Sequence, residues 1–303
     1  MFLIVFLWAT LAATFIFAKK ALIYSSPAFL IGIRMIVAGG FLLAYQWFKH
    51  NKKAFIIQKK DYLTFFLVSL FHIYLAFMFE FWALQYVSAL KTTIIFSATP
   101  FVSALLAYFL LKERLSKIKL IGICVGLFGL VPTLLAQASG VEAHLELFRI
   151  SLPEIVLLLA VISGAYAWFI VIKLMNRGYN LGFINGVAML VGGLLCMITA
   201  ILTRDLSHPV SQILPFMGWL TLLIISANFI FYNLYAWMLK KYSVTFLSFS
   251  GFLCPCFATL YDWLFMGGSV TWHYFASLVL IILGLYIFYR EELKNLRVKN
   301  LLD

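Results

Sequence analysis

The chain has 303 residues, of which 64% are hydrophobic and only 11% are charged, and its formal net charge is +12. A typical soluble domain carries about 25% charged residues, so this composition excludes a soluble enzyme or a soluble binding domain. In a membrane protein the basic excess reflects topology and attraction to anionic lipid, so we expect membrane lipid as a partner and no nucleic acid.

Ten apolar segments follow one another along the chain, separated by short connections. A helix that crosses a bilayer needs roughly 20 mostly apolar residues, and segments without polar alternation favour helices over a transmembrane β-barrel. The segments are 2–18, 28–47, 62–81, 88–111, 118–136, 153–173, 182–202, 214–237, 244–265 and 273–289. The sequence therefore predicts an all-α integral membrane protein with ten transmembrane helices.

The basic residues are divided unequally between the two faces of these ten spans. Of the 23 Lys and Arg residues, 17 fall on the side of the N-terminus, five fall on the opposite side, and Arg34 lies within the second span. Cytoplasmic loops carry the excess of Lys and Arg. We therefore expect both termini to be cytoplasmic.

A stretch that begins with proline and ends with Gly-Leu occurs twice. The stretch 100–130 and the stretch 255–285 share Pro, Leu, Gly and Leu at an offset of 155 residues, and a second set of matches has an offset of 154. Each half holds five spans, so the second copy enters the membrane from the opposite side, as in many secondary transporters. The predicted organisation is a first repeat (1–136), a connecting loop (137–151), a second repeat (152–290) and a cytoplasmic tail (291–303).

Together these features resemble the EamA-type members of the drug/metabolite transporter superfamily. The resemblance rests on Pro100 in the fourth span, the junction Glu113-Arg114-Leu115, a Gly-rich fifth span and Arg34 in the second span. One departure is Gly268, which stands where members of that superfamily usually repeat the junction Glu. The resemblance implies a fold of two inverted five-helix repeats, in the bacterial cell (inner) membrane, that transports small metabolites by alternating access.

Three ionisable residues lie at membrane depth, where charge is costly and usually functional. Arg34 offers a fork for a substrate carboxylate, and Glu80 or Asp262 would face a substrate ammonium or carry a proton. Alternatively, these groups pair with each other or with the backbone, or Glu80 and Asp262 lie near the outer surface in water. We expect all three in the substrate site.

A stripe on the third span joins His72 to Glu80, two helical turns apart. His72, Glu80 and Asp262 are the candidates for proton coupling, because an imidazole or a buried carboxylate can gain and lose a proton during transport. The alternative for His72 is a hydrogen bond that ties two helices together.

Amide and aromatic side chains mark the eighth span, which corresponds to the third span in the other half. We expect Asn228, Tyr232 and Tyr235, together with Trp82 of the third span, to line a cavity where flat rings stack and cations bind. Alternatively, these aromatic residues face lipid or the membrane interfaces.

No motif for catalysis, nucleotide binding or metal ligation occurs in the sequence, so we expect no enzyme, no cofactor and no metal. Gly122 and Gly126, and likewise Gly182 and Gly186, predict close helix contacts within one chain, and the expected state is a monomer or a weak homodimer.

The substrate implied by the ionisable and aromatic groups is a zwitterion that bears a ring, which describes amino acids and also S-adenosylmethionine. The C-terminal segments 257–265, 270–275 and 284–293 are similar to S-adenosylmethionine/S-adenosylhomocysteine exchangers of the same superfamily. The main prediction is exchange or uptake of these molecules. The alternatives are an amino-acid or drug/metabolite exporter, a lipid flippase or intramembrane enzyme, and a passive channel.

Overall fold

The computed structural model describes residues 2–49, 56–87, 89–112, 116–132, 151–203, 210–266 and 272–300, and the regular structure within these ranges is helical. The helices are α1 (Phe2–Ala21), α2 (Pro27–Lys49), α3 (Lys59–Leu84), α4 (Ala89–Phe96), α5 (Thr99–Leu111), α6 (Lys117–Phe128), α7 (Leu152–Asn176), α8 (Leu181–Leu202), α9 (Ile213–Met238), α10 (Val244–Ser250), α11 (Leu253–Met266) and α12 (Trp272–Asn300). The junction residues Glu113 and Gly268, and the connecting loop up to residue 150, lie outside the described residues.

Eight helical stretches in the described part of the chain are long and apolar enough to cross a membrane. They are α1, α2, α3, α7, α8, α9, the combined α10–α11 and α12. α5 is apolar but only 13 residues long. The chain is therefore a multi-pass membrane protein. α12 extends through most of the predicted tail, because residues 291–300 continue in helix-forming residue types.

Two of the apolar segments are interrupted where the repeated proline occurs. α4 stops at Phe96 and α5 starts at Thr99, with Pro100 in its first turn. α10 stops at Ser250 and α11 starts at Leu253, again just before a proline. Proline is tolerated in the first turn of a helix but not in its interior, so each interruption follows directly from the sequence.

Two other helices change to π-helical geometry near their centres, which the sequence analysis did not anticipate. The π-helical segment of α3 is Ser69–Leu75, and that of α9 is Ile224–Phe231. Their starting residues are separated by the same 155 positions as the two prolines. In α9 the Asn233 side chain donates to the carbonyls of Asn228 and Phe229, at 3.0 and 3.1 Å. Backbone groups freed inside a membrane need such partners.

Glycines allow α2 and α8 to cross at backbone contact. A Cβ on Gly39 would lie 2.7 Å from the Leu190 amide nitrogen and 2.8 Å from the Gly186 carbonyl oxygen. A Cβ on Gly193 would lie 2.9 Å from the Ile36 amide nitrogen. Residue numbers rise along one helix as they fall along the other, so α2 and α8 pack antiparallel.

The same antiparallel arrangement joins α6 to α12. A Cβ on Gly284 would lie 2.7 Å from the Gly122 carbonyl oxygen and from the Gly126 amide nitrogen, and a Cβ on Gly129 would lie 3.0 Å from the Ile281 amide nitrogen. The contacts of Gly122 and Gly126, like that of Gly186, fall within the chain, as the small-residue spacing predicts.

One face of the bundle is closed by contacts between the two halves of the chain. The Ser211 amide donates to the Tyr24 carbonyl at 2.9 Å, next to an isolated β-bridge between Ser25 and Val210. On the same face, the Lys19 ammonium donates to the Val87 carbonyl at 2.8 Å.

The opposite face is tied by a group that we call the Asp61 cluster, formed by Gln58, Asp61, Arg177 and Tyr179. Asp61 is 1% exposed, forms an ion pair with Arg177 and accepts a hydrogen bond of 2.8 Å from the Tyr179 hydroxyl. The Gln58 amide donates to that hydroxyl oxygen at 3.0 Å. Burial raises the pKa of Tyr179 above its ordinary value, so the hydroxyl keeps the proton that it donates to Asp61.

Candidate functional site

A cavity of about 120 Å³ lies in the middle of the bundle, mainly between α1, α3, α7 and α9. Residues of α2, of α4 and α5, and of α10 and α11 also line it. Secondary transporters built from two repeats bind their substrates between the repeats, which makes this cavity the candidate site.

Arg34 and Glu80 are a basic and an acidic side chain of the cavity wall. Arg34 is 1% exposed, and its Nε donates to the Asn228 Oδ1 at 2.7 Å. Its Cζ lies 4.8 Å from the ring centroid of Phe77 and 5.7 Å from that of Phe81. These contacts fix the guanidinium plane. Among the described residues, the guanidinium hydrogen-bonds to Asn228 through Nε, so its two terminal nitrogens are left for a ligand. Glu80 is close enough to interact electrostatically with Arg34.

Asn228 fixes the Arg34 side chain from behind the cavity wall. It is fully buried, accepts from Arg34 through Oδ1, and directs its Nδ2 toward the Met35 sulfur at 3.0 Å. Because Asn228 lies inside the π-helical segment of α9, that segment determines where the amide points. π-helical turns occur often at functional sites.

Aromatic rings form another part of the wall. Trp168 and Tyr235 lie 4.2 Å apart between centroids with 30° between their planes. Trp8 meets Phe231 and Tyr235 edge to face at 5.9 and 6.1 Å, and its Nε1 donates to the Ser250 Oγ at 2.7 Å. The faces of such rings attract cations and flat ring systems.

His72 also lines the cavity, from the π-helical segment of α3. Its ring centroid lies 4.4 Å from that of Trp168 and 4.9 Å from that of Tyr232, and both contacts are edge to face. The imidazole is therefore packed against the aromatic part of the wall.

The two halves line the cavity from corresponding positions but with different residues. Four examples at an offset of 155 are His72 and Ala227, Phe77 and Tyr232, Glu80 and Tyr235, and Thr99 and Cys254. Thr14 and Trp168 are an example at an offset of 154. In these pairs the first half contributes the ionisable groups His72 and Glu80, where the second half has Ala227 and Tyr235.

Comparison with known proteins places the chain in a family. The model of the EamA-like transporter family matches residues 1–135 and 152–290. The chain belongs to the EamA-like transporter family. It is therefore a transporter, embedded in a membrane, with a small molecule as its substrate.

Three relatives cover nearly the whole of this EamA-like transporter. An S-adenosylmethionine/S-adenosylhomocysteine transporter of Chlamydia muridarum (strain MoPn / Nigg) is 30% identical over 97% of this chain and 92% of the relative. Transporters with the same name from Chlamydia trachomatis serovars L2 and D are each 31% identical over 97% of this chain and 89% of the relative. One solved crystal structure of a protein, 17% identical, matches with a TM-score of 0.71 over 96% of both chains, which shows the fold alone.

The structure of this EamA-like transporter brings most of the predicted site residues together. Arg34, His72, Glu80, Tyr232 and Tyr235 all line the cavity. Asn228 lies behind these residues and accepts the hydrogen bond from Arg34.

Two predicted site residues are not placed in the cavity. Trp82 is half-buried, and its ring centroid lies 5.1 Å from that of Tyr86. It lies on a different side of α3 from the lining residues. Glu80 and Trp82 are two positions apart on a helix and so point in different directions. Asp262 lies on α11, but its side chain is outside the described residues.

Trp8, Trp168 and Phe77 line the cavity of this EamA-like transporter, although sequence reasoning did not select them. One signal was present for the tryptophans, because both lie inside their helices rather than at the membrane interfaces that Trp prefers. No comparable signal distinguishes Phe77 from the other 30 phenylalanines of the chain.

Proposed function

We propose that this transporter exchanges S-adenosylmethionine and S-adenosylhomocysteine across a bacterial inner membrane by alternating access. The observation that carries the proposal is the cavity, in which the side chains of Arg34 and Glu80 adjoin an aromatic wall. S-adenosylmethionine presents a carboxylate and an ammonium at one end, an adenine at the other, and a sulfonium between them. The relatives named for these two molecules support the same substrate.

Each part of this substrate has a chemical counterpart in the cavity. Arg34, held by Asn228, binds the carboxylate through its terminal nitrogens, and Glu80 faces the ammonium. Trp8, Trp168 and Tyr235 receive the ring and the sulfonium through stacking and cation–π attraction. S-adenosylhomocysteine lacks the sulfonium charge but keeps both ends, so the same groups hold it. A free amino acid would engage the charged groups alone.

Glu80 is the residue that we propose for proton coupling. It lines the cavity next to Arg34, so its charge responds directly to the charge of the ligand. Asp262 stays a second candidate on the basis of sequence. We propose transport without chemical conversion, in line with the family.

We further propose ten membrane spans arranged as two inverted repeats, residues 1–136 and 152–290. Three features support this arrangement: the paired helix interruptions, the paired π-helical segments, and the crossings of α2 with α8 and of α6 with α12. Each crossing joins corresponding helices antiparallel to each other. An axis that exchanges antiparallel transmembrane helices lies in the membrane plane, which is the symmetry of inverted repeats. A single chain forms the whole cavity, so a monomer suffices.

The orientation that we propose places both termini in the cytoplasm. The excess of Lys and Arg on the N-terminal side supports it. The Asp61 cluster then lies on the cytoplasmic face, and the contact between Tyr24 and Ser211 lies on the outer face.

Counterflow in reconstituted vesicles tests the function. Vesicles that contain the purified protein are loaded with S-adenosylhomocysteine, and labelled S-adenosylmethionine is added outside. We expect saturable uptake that depends on the internal S-adenosylhomocysteine. Uptake without saturation would indicate a channel, and inhibition by free amino acids but not by S-adenosylhomocysteine would indicate an amino-acid transporter.

A further inference from the structure

His72 is a buried polar residue of the cavity whose two ring nitrogens lack partners. Its side chain is 2% exposed, and neither Nδ1 nor Nε2 has a hydrogen-bond partner among the residues that the structure describes. Buried polar groups in proteins are nearly always hydrogen-bonded, and an exception requires an explanation such as a bound molecule. Because His72 lines the cavity, we expect its partner to be a molecule that enters the cavity.

The surroundings hold the imidazole in a fixed position. Trp168 and Tyr232 contact its ring edge to face, with interplanar angles of 81° and 74°. The backbone beside it is fixed as well, because the Ser163 Oγ on α7 donates to the Phe71 carbonyl at 2.7 Å. α8 also packs closely here, since a Cβ on Gly192 would lie 2.9 Å from the Ser69 carbonyl oxygen. A side chain held in this way is suited to directional recognition.

The chemistry around His72 differs from that around Arg34. A neutral imidazole offers one donor and one acceptor, beside the stacked rings of Trp168 and Tyr235. A flat heterocycle with donors and acceptors on its edge matches this combination. The carboxylate and the ammonium of an amino acid instead match Arg34 and Glu80, which leaves His72 for another part of the ligand.

We propose that His72 hydrogen-bonds the nucleobase of the substrate and thereby selects a nucleoside-bearing sulfur amino acid over a free amino acid. The inference rests on the proposed function and deepens it. It gives His72 a role in binding and specificity rather than in carrying a proton.

A panel of analogues tests the contact. Each hydrogen-bonding group of the base is removed in turn, with the 1-deaza, 3-deaza and 7-deaza analogues of S-adenosylhomocysteine and the analogue that lacks the 6-amino group. Each competes with labelled S-adenosylmethionine in vesicles that contain the wild type or His72→Phe. Phe keeps the aromatic contacts but offers no polar atom. In the wild type we expect at least one analogue to inhibit about tenfold more weakly than the parent compound, because a buried polar group is left unpaired.

His72→Phe should reduce that difference to less than about threefold, since the partner of the missing atom is gone. Tyr74→Phe is the matched control. Tyr74 lies in the same π-helical segment and its hydroxyl bonds to Thr199 at 2.9 Å outside the cavity, so this variant should discriminate as the wild type does. If His72→Phe does not fold, His72→Gln replaces it, and we expect Gln to change which analogue is disfavoured.

Three results would overturn the inference. The wild type would treat all the analogues alike if His72 binds only water. His72→Phe would discriminate as before if another residue reads the base. A variant that loses the pH dependence of transport but keeps its discrimination would show a proton-carrying role. Failure of the proposed function is a separate result, in which the wild type moves neither S-adenosylmethionine nor S-adenosylhomocysteine.

Discussion

At the scale of single residues, the site depends on a few polar side chains whose surroundings fix their direction. Arg34 is held by Asn228 and by two phenylalanine rings. The sequence alone identified Arg34, because charge inside a membrane is rare and costly. It did not identify the phenylalanines, since aromatic residues make up 18% of the chain and these two carry no distinguishing signal in the sequence.

Replacing Arg34 should disable transport. Arg34→Ala removes a buried charge that interacts with Glu80, and such truncations cost about 2 kcal/mol or more, which corresponds to a loss of roughly 30-fold in kcat/KM for S-adenosylmethionine. Arg34→Lys keeps the charge but cannot form two parallel hydrogen bonds, so its kcat/KM should lie between those of the wild type and Arg34→Ala. Initial uptake rates over a range of substrate concentrations measure both. An Arg34→Ala protein with wild-type kcat/KM would remove Arg34 from the site.

Two tryptophans provide a matched comparison. Trp168→Ala removes a ring that stacks on Tyr235 in the cavity and should raise the KM for S-adenosylmethionine about three- to thirtyfold, since a cation–π contact contributes about 0.5–2 kcal/mol. Trp82→Ala removes a ring that packs on Tyr86 away from the cavity and should change the KM less than about twofold. Equal effects of the two changes would contradict the placement of the aromatic wall.

At the scale of helices, the sequence predicted the positions of the eight long apolar helices but not their internal geometry. The proline residues account for the interruptions before Pro100 and Pro255. The π-helical segments of α3 and α9 have no comparable marker, because they depend on tertiary contacts such as the hydrogen bond from Ser163 to Phe71. These segments carry His72 and Asn228. The sequence selected both residues, but regular helical spacing could not give the directions of their side chains.

Adjacent glycines on α2 should respond differently to alanine. A Cβ on Gly39 would lie 2.7 Å from a backbone atom of α8, whereas a Cβ on Gly40 would have no atom within 4 Å. Overpacking costs about 1–3 kcal/mol, so Gly39→Ala should lower the Tm in detergent by several degrees. Gly40→Ala should leave the Tm unchanged or raise it slightly, because alanine favours helix. Equal Tm values would mean that α2 and α8 do not cross at Gly39.

The Asp61 cluster should control access from its face of the bundle. Asp61→Asn removes the ion pair with Arg177, and we expect the ends of α3 and α7 to separate more often. Cys254 lines the cavity and reports this opening in a protein whose other cysteines (Cys124, Cys196 and Cys256) are replaced by alanine. Its labelling rate by a small thiol reagent should rise.

Gln58→Ala is the control for that change. Gln58 contacts Tyr179 through its backbone amide, so the loss of its exposed side chain should leave the labelling rate of Cys254 unchanged. If Asp61→Asn also leaves the labelling rate of Cys254 unchanged, the Asp61 cluster does not restrict access to the cavity.

At the scale of the whole molecule, the proposed ten spans determine which loops share a face. Ile23 and Ser211 are both exposed. Ile23 precedes Tyr24, whose carbonyl accepts the hydrogen bond from Ser211, so the two residues lie at the same face, and Gln58 lies at the opposite face. Ile23→Cys and Ser211→Cys should react with an impermeant thiol reagent in intact cells. Gln58→Cys should react only in inverted vesicles. Labelling of Ile23→Cys and Ser211→Cys from opposite sides would contradict ten spans.

The sequence by itself determined the class of molecule and the positions of its long apolar helices, and it predicted the repeat and several ionisable site residues. Composition, apolar length and residue spacing are local properties, and each of these conclusions depends only on them. The tertiary structure decided which side chains meet. Arg34 reaches Asn228 across 194 positions of the chain, and His72 meets Trp168 and Tyr232, because antiparallel packing of the two halves brings remote positions together. The repeat offset located corresponding positions, but only packing shows that they surround one cavity.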